Sequence, residues 1–335
     1  EARVHFRAAL EHFRRGGDVT NLALAYINLG HLHKQRCGWD RALEHYQAAY
    51  YLRATEGEFQ DQGAILQNLA LVLMKVGRFE EATEKLESSL RRAIEGADPA
   101  RALRARLALA RLHRESWHGD AARAVLAEAN LQAPSPVPGR EGCLLLLEAA
   151  FLARFDGRRD EGLDLADRLR ARVGVLASRG DLMIESLILD GHLALDRNEE
   201  AEAHDDFRRA LDLAREDGDR FAENSVLLGI LELHLRRGEA ESAAEIVRIL
   251  HDRHLHSGEQ PALARVMLCA GRLDQESRGN AGKALEWYTR SRDLWRRMAR
   301  PRLQAVAELR LAGALADLGR APEAEATLHG VRERL

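Results

Sequence analysis

A small residue, followed four and seven positions later by two more apolar or small residues, returns along this chain at a nearly fixed interval. Ala42, Tyr46 and Ala49 show it most clearly. At that spacing the three side chains share one face of a helix. The triplet begins at residues 2, 42, 82, 122, 162, 203, 243, 284 and 324, a step of 40 or 41 each time. A period of this size means stacked copies of one supersecondary unit.

The residues upstream repeat in step. Gly30, Ala70 and Ala110 each stand twelve positions before a triplet, and each follows a leucine. Ala150, Gly191 and Ala312 hold the same place later. A small residue there lets two helix axes approach closely. Between the halves lies a turn residue: Gly38, Gly77, Gly119, Gly157, Gly238, Gly279 or Gly319, with Asn198 in the remaining case. Glycine and asparagine most readily take the left-handed conformation that ends a helix. Each period therefore reads as helix, turn, helix. The period around Gly271 carries one extra residue.

Small residues and aromatics at these positions on a helix–turn–helix resemble the tetratricopeptide repeat family. The resemblance covers nearly the whole chain. That family's usual period is about 34. A step of 40 is similar to its longer-helix variety, found in cell-polarity adaptors, bacterial peptide-pheromone receptors and sensor regions of bacterial regulators and ATPases. Departures are Asp190, where leucine is usual, and Gly162, where alanine is usual. The resemblance implies an all-α fold, a right-handed α-solenoid of antiparallel helix pairs. Residues 1–335 then form a single solenoid of eight helix pairs after an initial lone helix.

Local signals place the helix starts. Gly16-Gly17 ends the first helix and Asp18 caps the next. Asp98-Pro99 pairs an N-cap with proline at the first helical position. Ala133-Pro134-Ser135-Pro136-Val137-Pro138-Gly139 cannot continue a helix. The 40-residue step survives across it, so it reads as a local loop, or as a joint at 133–140 between 1–132 and 141–335. The chain begins and ends inside a repeat, without the polar caps that terminal repeats usually need, and so reads as a piece of a larger protein.

A formal net charge of −3 gives no electrostatic footprint for nucleic acid. No apolar run is long enough to span a membrane. Three cysteines, Cys37, Cys143 and Cys269, are odd in number and far apart, which points to a reducing cytoplasm. The paired charges Asp205-Asp206 and Arg208-Arg209 read as a solvated outer face.

In the family, the first helix of each repeat lines a concave groove that holds extended peptides or helices. Its ligand-facing positions fall two before, one after and four to five after the small residue. The resemblance assigns them to Ile27, Asn28, His31, Lys34 and Gln35, then Gln67, Asn68, Leu71, Met74 and Lys75. Arg104, Leu107, Arg111 and Arg114 follow, then Leu147, Glu148, Phe151, Arg154 and Phe155. Asn28 and Asn68 form the sharpest pair. An amide both donates and accepts, so a row of them holds a peptide backbone whatever its sequence. Arg104, Arg111 and Arg114 suit acidic side chains or a carboxylate terminus, unless Glu115 or solvent takes them.

Other motifs are weak. His251, His254 and His256 lack a completing cysteine or carboxylate at helical spacing and read as a solvated helix end, not a metal site. Gly279-Asn280-Ala281-Gly282-Lys283 lacks the phosphate-loop spacing and the following Ser or Thr. No catalytic motif, cofactor or metal is expected. The chain reads as a non-catalytic scaffold or sensor region that binds a protein or peptide segment. The alternative is an intramolecular or self-association module, its groove filled by other domains of the same chain, holding an attached effector inactive.

Overall fold

The computed structural model describes residues 10–55, 62–132, 137–176 and 180–334, and all regular structure among them is helical. Repeat one pairs α1 (Val19–Gln35) with α2 (Trp39–Thr55), and repeat two pairs α3 (Gln62–Lys75) with α4 (Phe79–Glu95). Repeat three pairs α5 (Pro99–Glu115) with α6 (Gly119–Gln132), and repeat four pairs α7 (Gly139–Phe155) with α8 (Arg159–Val173). Then come α9 (Gly180–Asp196) with α10 (Glu200–Glu216) and α11 (Arg220–Arg237) with α12 (Ala240–Ser257). Repeat seven pairs α13 (Gln260–Arg272) with α14 (Ala281–Arg297), and repeat eight pairs α15 (Pro301–Asp317) with α16 (Ala321–Arg334). Of the expected lone helix over 1–16, residues 10–16 are described and are helical. The fold is an all-α solenoid of consecutively packed helix pairs.

The chain divides into two compact units, Glu1–Leu189 with Asp212–Ala222, and Asp190–Leu211 with Glu223–Leu335. In the first unit, each helix packs on its partner, α2, α4 and α6 also pack on the first helix of the next repeat, and the first helices α3, α5 and α7 touch in a row. Its cores centre on Trp39, Tyr46, Ile65 and Leu69, and on Leu103, Leu107, Leu126 and Leu145. The second unit is built around Leu231, Leu250 and Val266, and around Tyr288, Leu311 and Leu315. The proline-rich joint expected at 133–140 lies largely outside the described residues, since 133–136 are not among them.

The triplet residues do what their spacing requires. Ala42, Ala82, Ala122, Ala203, Ala243 and Ala284 are fully buried. The ring four positions on packs against the small residue of the first helix. A Cβ on Gly30 would stand 2.5 Å from Tyr46 Cε1, and one on Gly191 2.7 Å from Phe207 Cε1. In repeat seven, a Cβ on Gly271 would meet Tyr288 Cε1 at 2.3 Å. Only glycine allows these ring-on-backbone contacts. The extra residue near Gly271 is absorbed by a π-helical turn, Leu273–Ser277, which restores the register before α14. Its Asp274 turns inward, accepts from Trp287 Nε1 at 3.0 Å and lies 3.4 Å from Arg278.

The expected caps form. Asp18 accepts the Asn21 N–H at 3.0 Å, and Asp98 accepts the Arg101 N–H at 2.9 Å. Three expectations are corrected. The left-handed residue of a repeat stands seven positions after its small residue, as at Gly77 and Gly157. In repeats one and three that place is held by Cys37 (φ 56°) and Trp117 (φ 61°), not by Gly38 or Gly119. Gly38 serves close approach instead, since a Cβ there would lie 3.3 Å from His33 Nδ1. Asp206 is buried, because it lies one position before Phe207 on the edge of the packed stripe, while Asp205, Arg208 and Arg209 are exposed. His254 is not solvated: it is 1% exposed, and its Nδ1 stands 3.2 Å from buried Glu259, which the turn after α12 folds back over it.

Candidate binding face

In the first compact unit, the expected groove residues lie along the first helices α1, α3, α5 and α7. The cations among them are mostly neutralised by carboxylates from other repeats. Arg104 pairs with Glu141 at 2.6 Å. Arg111 reaches Glu115 at 3.1 Å, Glu148 at 3.8 Å and, two repeats on, Glu185 at 3.2 Å. Arg114 holds Glu148 at 3.0 Å and lies 4.7 Å over the Phe151 ring. Lys75 stands 3.7 Å from Glu115 and 4.9 Å over the Phe221 ring. The guanidinium groups that suit an external carboxylate therefore already hold internal ones.

The electrostatics follow from this crowding. Glu185 first, against the opposing effect of burial and together with Glu148 and Glu115, holds Arg111 well above its ordinary range. Burial pushes Glu115 up, but Lys75, Arg111 and Arg114 outweigh it and hold the carboxyl well below its usual value. Burial dominates at Glu148 and raises it, despite Arg114 and Arg111. Burial also lowers Lys34, with Asp219 and Asp181 opposing; no carboxylate comes within 4 Å of its ammonium among the described residues.

His31 faces inward. Its Nδ1 stands 3.2 Å from the Tyr46 hydroxyl, with the rings edge to face at 5.6 Å. Burial, reinforced by Lys34, lowers it to about 4. The neutral His31 ring and the Tyr46 hydroxyl share one hydrogen bond, whose donor depends on which ring nitrogen carries the proton. Leu71 is half-buried and Met74 is buried. Gln67 donates to Ser89 Oγ at 3.2 Å.

Asn28 and Asn68 differ from the paired residues among these. Both are half-buried, at equivalent places in adjacent repeats, and neither side-chain amide has a hydrogen-bond partner among the described residues. Both amides stay open to solvent, so each offers a donor and an acceptor to a ligand.

The sequence did not point to Glu185, Phe221 or Trp39 as parts of this face. Phe221 meets Trp39 edge to face at 5.7 Å. No single-repeat pattern reveals such contacts, because they join residues far apart in the chain. A second ring pair lies at the turns of repeats three and four, where Trp117 meets Phe155 edge to face at 5.6 Å.

The first helices of the second unit carry a comparable charge ladder. Arg236 and Arg272 share Glu232 at 3.3 and 2.7 Å, and Arg310 holds Glu276 at 2.9 Å. Among the described residues no group of three His, Cys, Asp or Glu side chains is placed to hold a metal ion, and no helix is long and apolar enough to cross a membrane. The run Gly279–Lys283 is a helix cap: Asn280 accepts the Lys283 N–H at 3.0 Å.

No family model matches the chain, and no curated protein matches it by sequence. Solved structures do match in fold. The Rap conjugation gene regulator of plasmid pLS20, in complex with the Phr* peptide, aligns at a TM-score of 0.67 and 11% identity, over 86% of this chain and 77% of that one. A Rap protein complexed with Competence and Sporulation Factor aligns at 0.64 and 11%, over 99% and 97%. NprR with its cognate peptide NprX aligns at 0.55 and 14%, over 78% and 77%. At such identities the likeness is one of fold, and function rests on the site itself. The chain has the fold of a tetratricopeptide-like helical solenoid.

Proposed function

We propose that this chain is a non-catalytic, peptide-binding regulatory scaffold that works in the cytoplasm and takes a peptide or protein segment along the first helices of its N-terminal repeats. One observation carries the reading. On a face whose charges are largely paired with each other, the Asn28 and Asn68 amides are half-buried and have no partner among the described residues. Each amide offers a donor and an acceptor, which matches a peptide group of any sequence. The three fold neighbours support the reading: two were solved with peptides, Phr* and NprX, and one with Competence and Sporulation Factor. Lys34, Leu71 and His31 border the same stretch. In this reading Lys75, Arg104, Arg111 and Arg114 shape the face through their internal pairs.

One observation favours the intramolecular alternative. Phe221 of the same chain sits against Trp39 and beneath Lys75, so a chain segment already covers one edge of repeats one and two. Panning a random heptapeptide display library on the immobilised protein tests the first reading. Enrichment by the parent and none by Asn28→Ala/Asn68→Ala is expected. Enrichment by Phe221→Ala alone would transfer support to the intramolecular reading.

A further inference from the structure

Trp117 occupies the left-handed position at which repeats two, four, six and eight carry Gly77, Gly157, Gly238 and Gly319. Its φ of 61° is a conformation that a bulky side chain adopts only with strain. Burial does not account for that strain, since Trp117 remains 40% exposed. Its neighbour Phe155 is 39% exposed, and the two rings pack edge to face at 5.6 Å. Gly119 makes room for this arrangement: a Cβ there would stand 3.0 Å from Phe155 Cε1. Asp156 anchors the rim, pairing with both Arg123 and Arg158. Two half-open aromatic rings held over a glycine form a shelf, and large rings so placed are the usual anchors of recognition.

The shelf continues the proposed binding face. Phe155 lies one helical turn beyond Phe151, on the same side of α7, and Phe151 carries the Arg114 guanidinium at 4.7 Å. Trp117 follows directly on the end of α5, three residues after Arg114. A peptide that leaves Asn28 and Asn68 and runs on along α5 and α7 meets an apolar, aromatic surface after a charge-paired one.

We propose that Trp117 and Phe155 form the specificity-determining surface of the peptide site, and that the bound peptide carries an aromatic or large aliphatic side chain that packs on them. This rests on the peptide-binding reading above. The rings select by shape and apolar area, while the amides hold the backbone and select nothing.

The test uses the random heptapeptide library with the parent, Trp117→Gly, and Asn28→Ala/Asn68→Ala. Glycine at 117 relieves the backbone and removes the ring. Expected is a melting temperature for Trp117→Gly equal to or above the parent's, peptides enriched by the parent that share an aromatic or large aliphatic residue at one position, and loss of that preference in Trp117→Gly with a tenfold or greater fall in affinity for the parent's best peptide. A melting temperature that falls in Trp117→Gly, with the preference intact, would make the pair an inter-repeat staple and overturn the proposal. Parent peptides with no such preference, still lost by the asparagine variant, would overturn the shelf and leave peptide binding standing. No enrichment by the parent would overturn both.

Discussion

At the scale of single residues, side chains that sequence spacing assigns to a ligand divide into those the protein already uses and those it leaves open. His31 is used. Burial beside Tyr46, reinforced by Lys34, favours the neutral ring, and its folded value of about 4 lies below the ordinary histidine value of about 6.5. The folded state therefore binds fewer protons than the unfolded chain between those two values. Stability from this group is complete above about pH 6.5 and is lost as pH falls toward 4. Discounted for the ring's partial exposure, the share is roughly 1–3 kcal/mol. His31→Phe removes the titration, so its melting temperature should fall less steeply from pH 7 to pH 4 than the parent's; equal slopes would exclude His31 as a source. Glu148 is used too, buried between Arg111 and Arg114. Glu148→Ala leaves those guanidiniums short of a counter-charge and should cost about 3 kcal/mol in urea denaturation.

At the scale of elements, the helix pair is set by where small residues let rings approach. Gly30→Ala and Gly271→Ala would each drive a Cβ into a tyrosine ring, at 2.5 and 2.3 Å, and should cost about 2–3 kcal/mol. Gly157→Ala meets open space and suffers only from its φ of 74°, so about 1 kcal/mol is expected. Chemical denaturation of the three variants checks that order. The period, the helix pairs and the caps at Asp18 and Asp98 were legible in the sequence because volume and capping chemistry act within one repeat. Cys37 and Trp117 were not legible as left-handed residues, since a nearby glycine is the cheaper choice and draws the eye to Gly38 and Gly119. His254 was misread for a related reason: its burial depends on Glu259 folding back across the turn.

At the scale of the whole chain, charge is settled between repeats. Arg111 reaches Glu185 from 74 positions away, Arg272 reaches Glu232 and Arg310 reaches Glu276. Such pairs are invisible in the sequence, because the register of one repeat on the next comes from packing. They also explain why only part of the candidate site could be read in advance. Spacing along one helix shows which side chains face the same way, but not which are already taken. Asn28 and Asn68 remain open among the described residues, and the binding reading depends on them.

Calorimetric titration of the parent's best library peptide into the parent and into Asn28→Ala/Asn68→Ala is the most direct measurement. At about 1 kcal/mol for each amide's hydrogen bonding, the double variant should bind at least ~10-fold more weakly, with its melting temperature unchanged. Equal affinity in the two proteins would contradict the assignment of these amides to the peptide.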